Sequence, residues 1–292
     1  MMDAPMTTSE PLPPDAAVDL HLHTRYSDGA WRPADLFDAL ARGGFRVVSV
    51  VDHDQMDHLP EVAALGAARG ILVIPGTEVT TEWRGLAAHL LCYAPLATGF
   101  TSVALRDVVD DTRARMLANT QMIYETMLTR GYRFPRQQEA LAKRDGRLDR
   151  AVDVGDLLLA HGYAAGPGEA MRMVTEAGYQ QALAPIERTV AAAHASGALC
   201  VLAHPGRGEG EIHRYEPSDI EALLAAVPLD GIEVEYPTHS SAQVAAYEAL
   251  AARHGLLISA GSDSHAPNTR QPIPYPAHRI APLLRRLGVA VS

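Results

Sequence analysis

Lysine is almost absent from this chain of 292 residues: Lys143 is the single one among 25 basic residues, and 35 acidic residues bring the formal net charge to -10. So acidic a protein lacks the electrostatic footprint that long duplex nucleic acid requires, which excludes duplex DNA as a partner. A small anionic substrate would have to be drawn in by local arginines or by bound metal. Cysteine is scarce as well. Cys92 and Cys200 each stand inside an apolar run, which reads as two buried thiols rather than a disulfide and fits a reducing, cytoplasmic compartment. Aromatic residues make up only 5% of the chain, so a base-stacking surface drawn from Tyr26, Trp31, Trp83 and Tyr236 has little material behind it. No apolar stretch reaches the roughly 18 residues of a membrane span, and a membrane partner is not expected. Residues 1–15, rich in Pro and Thr, lack the basic flank and apolar run of a signal peptide and are expected to form a flexible tail.

What is present is core-forming material, 47% hydrophobic residues, in a repeating pattern. Residues 16–22 read as a strand ending at His21-Leu22-His23, followed by a turn at Ser27-Asp28-Gly29. Pro33 opens a helix with the apolar stripe Leu36, Phe37 and Leu40, closed by Gly43-Gly44. Residues 47–51 form a continuous apolar run ending at Asp52-His53-Asp54, as expected of a parallel strand buried on both faces. A helix over 62–68 and a strand over 71–74 follow, then Gly76-Thr77-Glu78, and a strand over 87–93 carries His89. Between about 99 and 184 the strand signal vanishes and amphipathic segments take over, with Val108, Met116, Ile123 and Met127 at helical spacing. Strand and helix alternation then resumes, with strands over 199–203 before His204, over 231–235, and over 256–260 before Gly261-Ser262-Asp263-Ser264-His265. The expected architecture is an α/β barrel over 16–98 and 185–292, interrupted by an all-helical insertion over 99–184 that acts as a lid and selects substrate.

Ligand-type residues gather just after the strands, where the chemistry of such barrels collects: His21, His23, His53, Glu78, His204, Asp263 and His265. Residues i and i+2 of a strand point to one face, so His21 with His23, and Asp263 with His265, can each aim two groups at one site. Singly, each has a plain alternative. His53 or His89 could be a hydrogen-bonded core histidine, Glu78 a cap, and His204-Pro205 a turn. Together, at successive strand ends, they point to a metal cluster. Imidazole nitrogen mixed with carboxylate oxygen suits Mn2+, Fe2+ or Zn2+, and the lack of cysteine in the set argues against a structural zinc site.

In this order, His21-Leu22-His23-Thr24 with Ser27-Asp28-Gly29, Asp52-His53-Asp54, Pro75-Gly76-Thr77-Glu78, Ala203-His204-Pro205-Gly206-Arg207 and Gly261-Ser262-Asp263-Ser264-His265 resemble the polymerase and histidinol phosphatase (PHP) family of phosphoesterases. The resemblance runs from about residue 17 to 267. It implies a distorted (β/α)7 barrel with two or three divalent metal ions at its mouth. It further implies that His21, His23, Glu78 and Asp263 hold a first ion, that Asp28, His53 and His265 surround a second, and that Glu78 bridges to a third held by His89 and His204. The insertion after His89, the His204-Pro205-Gly206-Arg207 stretch and the segment from Gly231 to Ser240 are similar to the subgroup of 3',5'-nucleotide bisphosphate phosphatases that also trim short RNA from the 5' end. Two departures stand out: Asp153 occupies the neighbourhood of a subgroup histidine, and 178–184 lacks its lysine- and tyrosine-containing stretch.

The implied reaction is hydrolysis of a phosphomonoester of a small phosphorylated metabolite, by hydroxide held between metals attacking phosphorus. The implied substrate is a 3',5'-nucleotide bisphosphate such as pAp or the 5' end of short single-stranded RNA. Arg207, next to a ligand strand, is expected to grip phosphate in bidentate fashion, with Arg25 and Arg150 as further contacts. His239 is expected to protonate the leaving alkoxide or to contact phosphate, and Asp52 and Asp54 to orient neighbouring ligands. Competing readings are a phosphatase for histidinol phosphate or another small metabolite, an amidohydrolase-like enzyme on the same metal site, and a non-catalytic metal-binding module. The last would have lost ligands, and none is missing here.

Overall fold

Apolar runs become strands buried on both faces, and the apolar stripes between them become covering helices. The computed structural model describes residues 10–142, 145–207 and 213–292. β1 (Ala17–Leu22), β2 (Phe45–Val50) and β3 (Leu72–Val73) pair in parallel, connected by α1 (Pro33–Arg42) and α2 (Leu59–Ala67). Pro33 lies in the first turn of α1, where its missing N–H costs nothing, and Leu36, Phe37 and Leu40 face inward. β10 (Tyr275–Pro276) completes this sheet in the order β10-β1-β2-β3.

The second sheet holds β4 (Gly76–Trp83), β5 (Leu86–Tyr93), the short β6 (Ala184–Pro185), β7 (Leu199–Leu202), β8 (Gly231–Glu235) and β9 (Leu257–Ala260), in the order β6-β4-β5-β7-β8-β9. Its helices are α7 (Ile186–Ala195), α8 (Pro217–Leu224), α9 (Ser241–His254) and α10 (Ala281–Arg286). Two isolated parallel bridges, Leu22 to Ser264 and His53 to Glu78, connect the two sheets of the distorted α/β barrel. Both bridges involve or adjoin the residues singled out as ligands.

β4 departs from the expected pattern. The sequence reading ended a strand near residue 74 and left Gly76-Thr77-Glu78 as the segment after it, whereas β4 runs eight residues and pairs antiparallel with β5. Its polar residues hide it from a search for apolar runs. Thr80 and Thr81 are nonetheless buried, with hydroxyls donating to Asp54 and to the Ala88 carbonyl. Their β-branched side chains suit a strand.

Residues 1–9 of the expected tail, like Lys143, lie outside the described residues. The tail does not extend to residue 15. Leu12 is buried beside Leu283 and Leu287, and its N–H donates to the Ala290 carbonyl at 2.8 Å. Cys92 and Cys200 are free and buried. No helix among the described residues is long and apolar enough to cross a membrane.

Residues 110–183 form a compact unit of their own, and 1–109 with 184–292 form the other. The helices between β5 and β6 are α3 (Ala104–Thr129), α4 (Gln137–Ala140), α5 (Ala151–Ala160) and α6 (Pro167–Glu176). Leu105, Val108 and Val109, at the start of α3, join the barrel core. The helical unit has a separate core of Ile123, Met127, Val154, Leu157, Leu158 and Val174, spaced at helical period. Asp153, where the subgroup resemblance leads one to look for a histidine, accepts the backbone N–H groups of Asp149 and Arg150 through Oδ2 at 3.0 and 2.8 Å. It closes the N-terminus of α5, a structural task for a carboxylate.

One packing contact separates two opposed effects. Gly66 lies within α2, where alanine would gain up to about 1 kcal/mol of helix propensity. A Cβ there would stand 2.3 Å from Val73 Cγ2 and 2.7 Å from the Ile71 carbonyl oxygen, and the backbone atom cannot yield cheaply. Overpacking of about 1–3 kcal/mol should win, so Gly66→Ala is expected to lower the urea midpoint; a raised midpoint would show that propensity dominates.

Candidate metal centre

β1 delivers His21 and His23 to the same face, both fully buried. The loop beyond carries Asp28 and is held from below by Asp52. That carboxylate accepts from Thr24 N at 2.8 Å, Thr24 Oγ1 at 2.6 Å and Ser27 Oγ at 2.6 Å. The loop needs Gly29, because a Cβ there would meet the Thr24 carbonyl oxygen at 2.8 Å. Asp54 accepts from Thr80 N and Oγ1 at 2.9 and 2.6 Å. The two aspartates flanking His53 thus position the β1 loop and β4, and through them the neighbouring donors.

Glu78, on β4, is the meeting point. Its Oε2 lies 2.9 Å from His21 Nε2, 3.0 Å from His23 Nε2 and 3.4 Å from His53 Nε2. Its Oε1 lies 3.0 Å from His89 Nδ1 and 3.2 Å from His204 Nε2. Asp263 Oδ1 stands 3.2 Å from His23 Nε2, 3.4 Å from His21 Nε2 and 3.3 Å from His265 Nδ1. Asp28 closes the outer side, 3.3 Å from His265 Nε2 and 3.9 Å from His53 Nε2. All nine residues singled out from the sequence are brought together, although they come from strands at both ends of the chain.

The arrangement fits divalent ions. Neighbouring donors on one ion with bonds of about 2.1 Å stand roughly 3.0 to 3.4 Å apart, the spacing found around Glu78 and Asp263. Three sets have donor atoms within 4.8 Å of one another: His21, His23, Glu78 and Asp263; His23, Asp28, His53 and His265; and His53, Glu78 and His89. His23 provides the sharpest sign. Neither ring nitrogen makes a hydrogen bond among the described residues, although Nε2 lies close to two carboxylates. An imidazole buried in that way is costly unless a ligand completes it.

The electrostatics agree. Burial works to raise the Glu78 carboxyl, and the surrounding imidazoles, His21 foremost, overcome it, holding Glu78 well below the usual carboxylate range. Asp263 is likewise held well down against burial, chiefly by His21. The imidazoles divide: burial depresses His53 and His204, whereas the carboxylates around His21 and His23 overcome burial and raise both, as an excess of acids that attracts positive charge would do.

Backbone strain concentrates here as well. His204 has φ 28° and Asp263 φ 54°, conformations unfavourable for residues other than glycine. Two ligand-type residues at strand ends are thus held in place at a local cost, as is common where function fixes geometry.

The other expected residues divide. Arg207 joins the centre: its Nη1 donates to Asp263 Oδ2 at 2.8 Å, and its side chain is 24% exposed. Arg25 is half-buried on the loop that carries Asp28. Arg150 belongs to the helical unit, at the N-cap of α5. His239 is engaged by the backbone at both ring nitrogens. Its Nδ1 meets the Val234 carbonyl at 2.9 Å and its Nε2 accepts from Gly206 N at 3.0 Å. With Nδ1–H donating to one backbone group and Nε2 accepting from another, the ring supports the turn after His204, and burial lowers its pKa. The stacking surface is corrected: Trp31, Trp83 and Tyr236 are buried, and Trp31 Nε1 donates to Ser264 Oγ.

The roles of three further residues, Glu233, Tyr236 and Arg270, were not expected from the sequence. Glu233, fully buried on β8, lies 3.0 Å from His21 Nδ1 through Oε1 and accepts His204 N through Oε2 at 2.8 Å. Tyr236 donates its hydroxyl to Asp263 Oδ2 at 2.9 Å, and Arg270 donates to that tyrosine at 3.0 Å. The acid within the run Gly231-Ile232-Glu233-Val234 was the one legible signal, because an ionisable group in a buried strand needs partners.

Comparison with known proteins agrees with this geometry. The profile of the PHP domain matches residues 19–215. A 3',5'-nucleoside bisphosphate phosphatase from Chromobacterium violaceum is 30% identical over 271 residues, covering 86% of this chain and 88% of that protein. The 5'-3' exoribonuclease Rnm from Salmonella typhimurium is 27% identical over 257 residues, covering 85% of each. Among solved structures, a candidate metal-dependent phosphoesterase from Bifidobacterium adolescentis superposes with a TM-score of 0.77 at 24% identity, over 96% of this chain and 98% of that one, and so shares the fold. With six imidazoles converging on Glu78 and Asp263 and the profile matching residues 19–215, the chain belongs to the PHP domain family and is a phosphoester hydrolase with a His, Asp and Glu cluster able to bind metal.

Proposed function

We propose that this enzyme hydrolyses phosphomonoesters of small phosphorylated metabolites, foremost 3',5'-nucleotide bisphosphates and also the 5' ends of short RNA oligonucleotides. The observation that carries the reading is the convergence of donor sets on Glu78, whose two oxygens face five imidazoles. The names of the two curated relatives, aligned over most of their length, support the substrate class.

His21, His23, Glu78 and Asp263 would hold a first divalent ion and Asp28, His53 and His265 a second; His89 and His204 with Glu78 would hold a third, the ions being Mn2+, Fe2+ or Zn2+. When bound, such ions supply Lewis acidity, acidifying a water and neutralising phosphoryl oxygens. The chain's own residues do the rest. Glu78, kept ionised in a dry site, balances the positive charge and shares its oxygens between donor sets. Arg207, anchored on Asp263 with its side chain partly exposed, binds and orients a phosphate beside the cluster. Arg25 and Arg150 are further phosphate contacts on the strength of the resemblance. Free, buried Cys92 and Cys200 suit a reducing, cytoplasmic setting.

Phosphate release from pAp, AMP, histidinol phosphate and a 5'-phosphorylated trinucleotide, with Mn2+ supplied, tests the assignment. Fastest turnover is expected with pAp, and release from none of them would end the proposal. Glu78→Gln is expected to lower metal content and to reduce kcat/KM roughly 10²- to 10³-fold, checked by elemental analysis beside steady-state kinetics. Arg207→Ala should behave differently, raising KM for pAp about 10- to 100-fold with metal content intact, as loss of a charge-assisted contact of about 1.5–3 kcal/mol would do. An Arg207→Ala enzyme with unaltered KM would remove that residue from the substrate contacts.

A further inference from the structure

Glu233 lies outside the ligand set proposed above, yet it touches that set at two places. It sits on β8 between Ile232 and Val234, whose side chains belong to the hydrophobic core, and no part of it reaches solvent. Its Oε1 lies 3.0 Å from His21 Nδ1, and its Oε2 accepts the backbone N–H of His204 at 2.8 Å. Both oxygens are therefore committed, which leaves Glu233 poorly placed to be a ligand itself.

Each contact has a consequence. A neutral imidazole carries its proton on one nitrogen, and a carboxylate beside Nδ1 keeps the proton there. The lone pair of His21 then lies on Nε2, which faces Glu78 Oε2 at 2.9 Å and Asp263 Oδ1 at 3.4 Å. The second contact holds the backbone of His204, whose φ of 28° needs an anchor. The chain passing opposite is a glycine for the same reason. A Cβ on Gly261 would stand 2.6 Å from Glu233 Oε1 and 2.1 Å from His21 Cβ, so the carboxylate and imidazole fill the space a side chain would take.

We propose that Glu233 is the positioning residue of the metal centre, one buried carboxylate that sets the tautomer of His21 and the strained backbone of His204, and so joins the first and third donor sets. The inference rests on the metal-binding reading above. Glutamine cannot replace it. Its single oxygen can serve either His204 N–H or His21 Nδ1–H. In the first case the amide NH2 faces Nδ1 and drives the proton to Nε2, the nitrogen needed as donor. In the second, two donors oppose each other at His204.

The test compares Mn2+ binding by wild type and Glu233→Gln, using equilibrium dialysis and electron paramagnetic resonance, beside thermal melting of the metal-free proteins. The variant is expected to bind Mn2+ about 10- to 100-fold more weakly, with a fall in metal-free Tm too small to account for that loss. Equal Kd values would overturn the proposal alone, as would weakened binding that merely tracks a fall in metal-free Tm. A wild type that binds no Mn2+ would overturn the metal reading and this proposal with it. Should the variant fail to fold, NMR of the Zn2+-loaded wild type decides: a His21 proton on Nδ1, shifted downfield by its carboxylate partner, is expected, and a proton on Nε2 would refute the assignment.

Discussion

A carboxylate buried among imidazoles is the constraint on which the rest of this protein depends. Glu78 has no contact with solvent, and its two oxygens are approached by His21, His23, His53, His89 and His204. Such a cluster has little to offer stability on its own, since burying ionisable groups costs several kcal/mol each unless each is paired. The fold therefore has to place those groups to within tenths of an ångström. Much of its detail follows from that need: a polar strand, β4, in the middle of a sheet, positive φ at His204 and Asp263, and glycines at 29 and 261 where a side chain would collide with the site.

Around the donors lies a second set of carboxylates whose work is mechanical. Asp52 grips the loop after β1, Asp54 grips β4, and Glu233 grips His21 and His204. Asp19 belongs with them, accepting from the N–H groups of His21, Ser262 and Ile273, and burial pushes its carboxyl up to about 6. These acids account for much of the buried negative charge that a cationic centre would offset. The acidity of the chain, at odds at first sight with an anionic substrate, is partly concentrated where divalent ions would reverse its effect.

Legibility differed between the donors and their supports for a physical reason. His21, His23, His53, His204, Asp263 and His265 stand at strand ends beside turn-forming residues, where a polar residue after an apolar run is conspicuous. Glu233 and Tyr236 act through partners more than twenty residues away; the apolar run around Glu233 says that the acid needs partners but not which, and nothing local distinguishes Tyr236 from a packed aromatic. His239 shows the converse: its place after a strand suggested chemistry, while its two backbone partners come to light only in three dimensions.

By itself, the sequence determined the alternation of buried strands and covering helices, the helical segment between β5 and β6, and the gathering of ligand-type residues after the strands. Each of these is written in local periodicity or in residue type at a strand end. Tertiary structure alone decided that β4 pairs antiparallel with β5, that Glu78 rather than Asp263 is the hub, and that Glu233 links His21 to His204. Those facts depend on which distant segments come to lie side by side, and sheet pairing and the direction of a carboxylate's two oxygens are set by three-dimensional packing, to which a local pattern of residues is blind.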